Sequence, residues 1–152
     1  HNKRYFVEQL DRELSRAARH GRPLTMVICD IDHFKDVNDE FGHLAGDHVL
    51  KEVAQLCKSR IRPDDVIARY GGEELAMILP ETDLAGGVLI ADELRKRIGS
   101  ASFVFEDEDI DVTVSCGVAQ LDPAWSSYDF VKAADDQLYA AKRAGRNCVC
   151  PS

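Results

Sequence analysis

The sequence has no continuous apolar segment that approaches the roughly 18 residues needed to cross a membrane. Its N-terminus also lacks the basic-then-apolar order that marks a secretory signal. Positive charge is scarce, because 19 lysine and arginine residues stand against 27 aspartate and glutamate residues and leave a formal charge of -8. Broad binding to nucleic acid or direct contact with an anionic membrane is therefore not expected, since both require dense positive charge. A polyanionic ligand would need local cations or a bound metal ion.

The number of cysteines is odd, so they cannot all be paired in disulfides. The chain has five cysteines, and four of them lie inside apolar or strand-like runs, which favours buried free thiols over a disulfide framework. Cys148 and Cys150 have neither a second cysteine pair nor a nearby histidine, so a zinc site is not expected. Free thiols indicate a reducing compartment, and we expect a cytoplasmic domain whose parent protein could be membrane-anchored.

Length and composition fit one compact domain. With 152 residues and 45% hydrophobic content, the chain can build a core without disulfides or metals. Because the first residue is His1 rather than methionine, we expect residues 1–152 to be a single domain excised from a larger protein. The missing part is expected to be an N-terminal regulatory domain.

Apolar periodicity predicts the order of helices and strands. Helical spacing is present at residues 2–20, 47–59, 83–98 and 126–144. Gly145 is a plausible C-cap of the last helix. Strands are predicted at residues 23–30, 65–70, 75–80, 109–121 and 147–150. After the first helix, this order contains the β-α-β-β-α-β arrangement of ferredoxin-like folds, so we predict an α+β domain.

The segment ARYGGEEL, residues 68–75, combines two glycines with two adjacent acids. As the tip of a hairpin, Gly71 and Gly72 permit positive φ and let backbone amides approach an anion closely. Because successive strand residues point to opposite faces, Glu73 and Glu74 are not expected to serve one site as an equal pair. One would face the cleft at the strand end and the other would support it. A plain β-turn is the alternative for the glycines alone.

The strand that ends at Asp30 is expected to lie beside this hairpin, near Glu73. Two carboxylates about 4 Å apart would repel by on the order of 4 kcal/mol at an effective dielectric near 20. A divalent cation between them is the simplest resolution. Mg²⁺ suits such a pair, because it prefers a few hard oxygen ligands and keeps its other positions for water and phosphate.

Four segments, in the same order and spacing, resemble the GGDEF family of diguanylate cyclases: DIDHFKDVNDEFGHLAGD, RYGGEEL, VTVSCGVA and YAAKRAGRN. The resemblance covers nearly the whole chain. It implies a palm-type fold, similar to nucleotide cyclases and polymerases, in which helices flank a central, mostly antiparallel five-stranded sheet. This agrees with the element order predicted above.

The resemblance also implies a metal site. Asp30 and Glu73 match the metal-binding acids, and the backbone carbonyl of Ile31 is a further ligand. The implied cofactor is Mg²⁺ or Mn²⁺, with two ions in each active site. Glu73 is also implied as the proton acceptor, Lys35 as a group that stabilises developing charge, and Glu74 as a secondary catalytic candidate.

The implied substrate is GTP. Asn38 and Asp47 match the guanine readers, since a carboxylate can accept from the N1 and N2 hydrogens of guanine and adenine offers no equivalent pair. The phosphates would lie beside Gly71 and Gly72 and contact the matched cations, which are Lys35, Lys142 and Arg146.

These matched residues also have purely structural alternatives. Asp30 at a strand end and Asp47 before a helix are compatible with a turn residue and an N-cap, and Asn38 with another local cap. Lys142 and Arg146, near a helix C-terminus, could simply complement the helix dipole.

Two neighbouring residues are left out of the site. Alternation is expected to turn Asp32 away from Asp30, and His33 is assigned to the following turn. The chain also departs from the family pattern: Leu75 stands where phenylalanine is usual, and Glu93 where a second product-binding arginine is frequent. The D-x-L-T-G-L segment that usually precedes the first helix is absent.

The implied reaction condenses two GTP molecules into cyclic di-GMP and releases two pyrophosphates. Each domain would hold one GTP, so a homodimer with facing sites is expected. Arg62 and Asp65, in the order R-x-x-D, match a product-inhibition site, for which a solvated turn is the alternative. A catalytically silent cyclic di-GMP receptor is the competing function, and a cyclase that uses ATP is disfavoured by Asp47.

Overall fold

The computed structural model of the chain describes residues 1–151. The helices within this range are α1 (Lys3–His20), α2 (Phe34–Phe41), α3 (His43–Arg60), α4 (Leu84–Ser100) and α5 (Ser127–Arg143). The strands are β1 (Leu24–Ile31), β2 (Val66–Arg69), β3 (Glu74–Pro80), β4 (Phe103–Phe105), β5 (Glu108–Ile110), β6 (Val114–Gln120) and β7 (Val149–Pro151).

Five strands form the central sheet in the order β2-β3-β1-β6-β7. All neighbours are antiparallel except β6 and β7, which run parallel. The predicted hairpin is β2–β3, and β1 lies between β3 and β6. The α+β prediction with a mostly antiparallel five-stranded sheet is therefore confirmed.

Helices cover both faces of the sheet, and the central strand β1 reflects this. It is apolar at every position from Leu24 to Cys29 except Thr25, and all eight of its residues are buried. Val27, Cys29 and Ile31 point into the core shared with α2, α3 and α4. Met26 and Ile28 point into the second core, which contains residues of α1 and α5. A strand that is buried on both sides reads as a continuous apolar run, as this one does.

Gly117 on β6 sets how closely α5 approaches the sheet. A Cβ atom added there would lie 2.2 Å from both the Ala134 carbonyl oxygen and the Leu138 amide nitrogen. These are backbone atoms of α5, so a side chain at this position would push the helix away. Helix α5 begins with a capping box between Ser126 and Asp129.

Local signals account for the elements that the sequence pattern did not predict. Helix α2 has eight residues and buries only Phe34 and Val37, too few for a clear period. Helix α3 begins four residues earlier than predicted, directly after Gly42, whose φ is 92°. The β4–β5 hairpin turns on Glu106 and Asp107, both at positive φ, without the glycine that normally marks such a turn. The predicted long strand at 109–121 is thus β5, a short connection, and β6.

All five cysteines are free. Cys29, Cys57 and Cys116 are buried, and Cys148 and Cys150 are half-buried, in agreement with the prediction of free thiols. Burial raises the pKa of Cys57 well above that of an exposed thiol. In residues 1–151, no helix combines the length and the apolar character that a membrane span requires.

Candidate active site at the ends of β1 and β3

The C-terminal end of β1 places an acid on the face of the sheet that α5 covers. Asp30 is 5% exposed, and its register partner on β3 is Glu74. Opposed residues in an antiparallel pair share one face, so these two carboxylates are neighbours. Lys142, in the last turn of α5, donates from Nζ to Asp30 Oδ2 at 2.7 Å.

Glu73 directly precedes β3, and its carbonyl oxygen accepts a hydrogen bond from the Ile31 amide at 3.3 Å. The expected strand order brought Glu73 near Asp30. The register instead places Glu74 opposite Asp30 and sets the Glu73 backbone against Ile31, while the Glu73 charge still acts on Asp30. Glu73 and Glu74 therefore both lie near Asp30.

Burial and charge disfavour ionisation of these acids. Burial raises the pKa of Asp30, the Lys142 hydrogen bond and charge oppose the rise, and the charges of Glu73 and Asp32 add to it. Burial likewise raises the pKa of Glu74, and Asp30 and Asp135 contribute to the rise. Burial works against the charged form of Lys142, but its hydrogen bond to Asp30 raises its pKa overall.

The donor set at this strand end fits a divalent cation in charge and chemistry. Asp30, Glu73 and Glu74 supply three carboxylates, and Lys142 is the cation that contacts Asp30. Within residues 1–151, however, no group of three or more histidine, cysteine, aspartate or glutamate residues is placed so that these side chains alone could hold a metal ion. Mg²⁺ is compatible with this arrangement, since it is usually held by one or two carboxylates, with water and substrate phosphate as its other ligands.

The glycines at the hairpin tip do not use the positive φ that glycine permits, since neither Gly71 nor Gly72 adopts it. A Cβ at position 71 would lie 2.7 Å from Glu74 Oε1, whereas position 72 faces open space. Arg69 fixes the tip by donating from Nη2 to the Gly72 carbonyl at 2.7 Å and from Nε to the Gly71 carbonyl at 3.2 Å. Nothing in the sequence pattern singled out Arg69.

The two candidate guanine readers lie at the junction of α2 and α3. The Asn38 side chain covers Gly46, because a Cβ at position 46 would meet Asn38 Oδ1 at 1.8 Å. Asp47 follows Gly46 and is exposed. Asp47 is not an N-cap, since α3 already begins at His43, and Asn38 lies within α2 rather than at its N-cap.

Asp47 lines an open cavity of about 520 Å³ between α3 and the β2–β3 hairpin. Leu50, Ala54 and Leu75 form part of its apolar wall, and Lys51 contributes positive charge. This volume is within the range of small-molecule sites, which combine apolar walls with a few polar groups. The residue that replaces the usual phenylalanine, Leu75, is therefore part of the cavity wall.

The remaining candidate cations are exposed. Lys35 lies in the first turn of α2, and Arg146 follows α5 in a connection to β7. Gly145 and Arg146 have φ values of 114° and 66°. Gly145 thus follows the helix at the position predicted for its end, with Ala144 as the C-cap residue.

Arg62 and Asp65 contact each other outside this site. The Arg62 amide donates to Asp65 Oδ2 at 2.8 Å, and its Nη2 donates to the Pro80 carbonyl at 2.7 Å and to Thr82 Oγ1 at 2.9 Å. Asp65 is buried. In this structure the R-x-x-D segment is a turn closed by its own side chains, with Arg62 exposed and Asp65 buried rather than solvated. Nearby, Glu93 is paired with Arg60.

Asp32 lies in the site region, although alternation was expected to turn it away. Asp32 lies just beyond the end of β1. It accepts from Ser115, the register partner of Asp30 on β6, and its charge acts on Asp30. Asp32 therefore lies on the Asp30 side of the sheet, and that expectation was wrong. Asp32 is 6% exposed and accepts hydrogen bonds from Thr113 Oγ1 at 2.7 Å and Ser115 Oγ at 2.6 Å.

Comparison with known proteins places the chain in one family. The family model described as "Diguanylate cyclase, GGDEF domain" matches residues 1–148. The chain is 42% identical over 146 residues to diguanylate cyclase DgcP of Pseudomonas aeruginosa, which covers 96% of the chain and 22% of DgcP. It thus spans about a fifth of the length of that relative.

Two solved structures are also similar. The GGDEF domain of DgcB from Caulobacter crescentus, solved in complex with c-di-GMP, superposes with a TM-score of 0.95 at 37% identity, over 99% of this chain and 87% of that one. The active GGEEF domain of a diguanylate cyclase from Vibrio cholerae gives a TM-score of 0.92 at 34% identity, over 99% and 96% of the two chains. The chain belongs to the GGDEF-domain family of diguanylate cyclases.

Proposed function

We propose that this domain condenses two molecules of GTP into cyclic di-GMP and releases two pyrophosphates. The observation that carries the proposal is the cluster of Asp30, Glu73 and Glu74 around Lys142, at the strand ends beside the hairpin tip. A purely structural ion pair would need one acid and one base. The excess of carboxylates supports a site that gains a cation together with its substrate.

A divalent ion would be held by Asp30, Glu73 and the carbonyl oxygen of Ile31. When bound, it would polarise the α-phosphate and lower the pKa of the attacking 3′-hydroxyl. The residues fit Mg²⁺ or Mn²⁺, which both take oxygen ligands. Two ions per site, as the family resemblance implies, would require further ligands from the triphosphate.

The cations of the chain bind and orient the triphosphate. Lys142 already lies against Asp30 and is 35% exposed, so it can turn from the carboxylate to a phosphate oxygen. Arg146 and Lys35 approach from the connection after α5 and from α2. Three cations would offset the charge of a nucleotide that otherwise meets an acidic domain.

The base is read at the α2–α3 junction. Asn38 and Asp47 would contact the guanine edge, and the cavity wall that includes Leu50 and Leu75 would cover its apolar face. A carboxylate accepts from both N1 and N2 hydrogens of guanine, whereas adenine presents no such pair of donors. We therefore assign substrate preference to Asp47.

Proton removal from the 3′-hydroxyl is assigned to Glu73, with Glu74 as the secondary candidate. Glu74 is half-buried, and burial raises its pKa. A carboxylate whose pKa lies closer to neutral pH is a better proton acceptor than an ordinary one. Each chain would contribute one GTP, so a homodimer with facing sites is the proposed catalytic species.

Product inhibition through Arg62 and Asp65 is proposed with a rearrangement. The Arg62 side chain is 53% exposed but donates to Pro80 and Thr82, and the Asp65 side chain is fully buried. Cyclic di-GMP would have to draw Arg62 away from these partners. Glu93 stays engaged with Arg60 and adds no cation to the product site.

The test is incubation of the chain, fused to a dimerising coiled coil, with GTP and Mg²⁺, followed by chromatography of the products. Formation of cyclic di-GMP and pyrophosphate is expected, and a tenfold excess of ATP should leave the rate nearly unchanged. Tight binding of cyclic di-GMP with no turnover would instead identify a receptor domain and contradict the proposal.

A further inference from the structure

We propose that Asp32 is a positioning residue for the phosphate-binding connection between α5 and β7, a role that rests on the proposed binding of GTP by Arg146. Its carboxylate joins the end of β1 to two segments that are far apart in sequence, residues 113–115 and Asn147. Oδ1 accepts from Ser115 Oγ at 2.6 Å, and Oδ2 accepts from Thr113 Oγ1 at 2.7 Å and from the Asn147 amide at 3.0 Å.

The connection that Asp32 contacts has an unfavourable backbone conformation. Gly145, Arg146 and Asn147 have φ values of 114°, 66° and 47°. Residues with a Cβ atom are uncommon in this left-handed region, and arginine is tolerated there less well than asparagine. Two consecutive side-chain-bearing residues in this region favour partners outside the connection.

Two such partners contact Asn147. Asp32 Oδ2 accepts a hydrogen bond from the Asn147 amide, and Arg95 Nη1 donates to the Asn147 side-chain oxygen at 3.1 Å. Arg95 is exposed to solvent at this contact, whereas Asp32 is buried. Both hydrogen bonds are charge-assisted, and the one to Asp32 is the less exposed of the two, so it is the stronger restraint.

Asp32 is itself fixed to the sheet. Its amide donates to the Thr113 carbonyl at 2.8 Å, and Ser115, which binds its carboxylate, is fully buried on β6. Asp32 thus holds Asn147 at a fixed position relative to β1 and β6. Because Arg146 is the adjacent residue, the same contact fixes where its guanidinium is presented relative to Asp30.

The first measurement follows the connection without nucleotide. Asp32→Ala is expected to speed hydrogen exchange of the Asn147 amide by roughly tenfold, relative to amides of β6, through local opening. Asp32→Asn is the matched control, since its carbonyl can still accept from Asn147 and the hydroxyl of Ser115 can rotate to accept from its amide. It should stay near the exchange rate of the unchanged chain. Equal exchange in all three chains would overturn the inference.

The second measurement is a double-mutant cycle on the affinity for α,β-methylene GTP with Mg²⁺. Arg146→Ala should weaken binding by about tenfold, the loss expected for one charge-assisted contact. Asp32→Ala should weaken it severalfold, and the double variant should bind no more weakly than Arg146→Ala alone, because both act through the same group. Independent, multiplying losses would overturn the positioning role.

The two measurements separate this inference from the proposed function. If the unchanged chain does not bind the analogue, GTP binding is contradicted, and the Asn147 exchange still decides whether Asp32 orders the connection. Urea unfolding of each variant identifies any general loss of stability. If Asp32→Ala does not fold, Ser115→Ala combined with Thr113→Val leaves the acid in place with two fewer partners. That pair should raise Asn147 exchange, and unchanged exchange would count against the role.

Discussion

Lys142 Nζ lies 2.7 Å from Asp30 Oδ2, across 112 positions of sequence, and this contact joins the end of α5 to the end of β1. It leaves Asp30 only partly compensated, because Glu73, Glu74 and Asp32 add negative charge around the same carboxylate. The site is thus poised to gain positive charge, from a metal ion or from protons.

The pH dependence of stability in metal-free buffer tests whether the negative charge around Asp30 is only partly compensated. The pKa of Asp30 is raised in the folded chain, mainly by burial. Its contribution to the free energy of unfolding is therefore fully present below the unfolded pKa, near 3.8, and is lost as pH rises through the folded pKa. The unchanged chain should lose stability relative to Asp30→Asn across that window, by about 1.4 kcal/mol for each unit of pKa shift.

Asp92→Asn provides a control of opposite sign. The hydrogen bond from Arg95 lowers the pKa of Asp92, so its contribution is present above the unfolded pKa and is lost as pH falls. Urea unfolding curves measured between pH 3 and pH 8 give both differences. A stability difference for Asp30→Asn that grows in favour of the unchanged chain as pH rises would contradict the charge distribution described here.

Gly117→Ala tests the close approach of α5 to β6. The new methyl group would meet backbone atoms of Ala134 and Leu138 at 2.2 Å, so the free energy of unfolding should fall by about 3 kcal/mol, at the upper end of overpacking costs. Gly99→Ala is the matched control. Its Cβ finds only Thr113 Cγ2, at 4.0 Å, and it should raise stability by about 0.5 kcal/mol through helix propensity. Equal effects of the two substitutions would argue against this packing.

Arg62→Ala tests the proposed product site. Turnover at low product should be unchanged, whereas the concentration of cyclic di-GMP that halves the rate should rise by more than about tenfold, as for loss of a charge-assisted contact. Loss of the hydrogen bonds to Pro80 and Thr82 should also cost about 1 kcal/mol of stability. Arg60→Ala, which removes the partner of Glu93, is the control. Unchanged inhibition in Arg62→Ala would remove this residue from product binding.

The larger elements could be predicted from sequence because their apolar periods are long and end at clear signals. Strand β1 reads as an apolar run interrupted only by Thr25 before Asp30, and α1 and α5 have one buried stripe each. Helix α2 and the β4–β5 hairpin were not predicted. They are short, and the hairpin turn uses Glu106 and Asp107 where glycine is the usual signal.

The site was predictable in composition but not in detail. The order of strands places Asp30 beside the hairpin, as expected, yet the register that pairs it with Glu74 depends on contacts along the whole of β1 and β3. Asp32 was set aside by an alternation argument, but it lies beyond the last residue of β1, where hydrogen bonds from Thr113 and Ser115 set its position. The internal partners of Arg62 come from Pro80 and Thr82, which no local pattern around Arg62 identifies.

Turnover by Glu73→Gln decides whether the carboxylates around Asp30 take part in GTP condensation. The dimerised chain and this variant are incubated with GTP and Mg²⁺, and cyclic di-GMP is quantified, with Glu108→Gln on the β5 surface as a control for a lost acid. Product is expected from the unchanged chain and the control, and a loss of at least about 100-fold is expected in Glu73→Gln with an unaltered unfolding curve. Normal turnover in Glu73→Gln, or no product from the unchanged chain, would rule out this role.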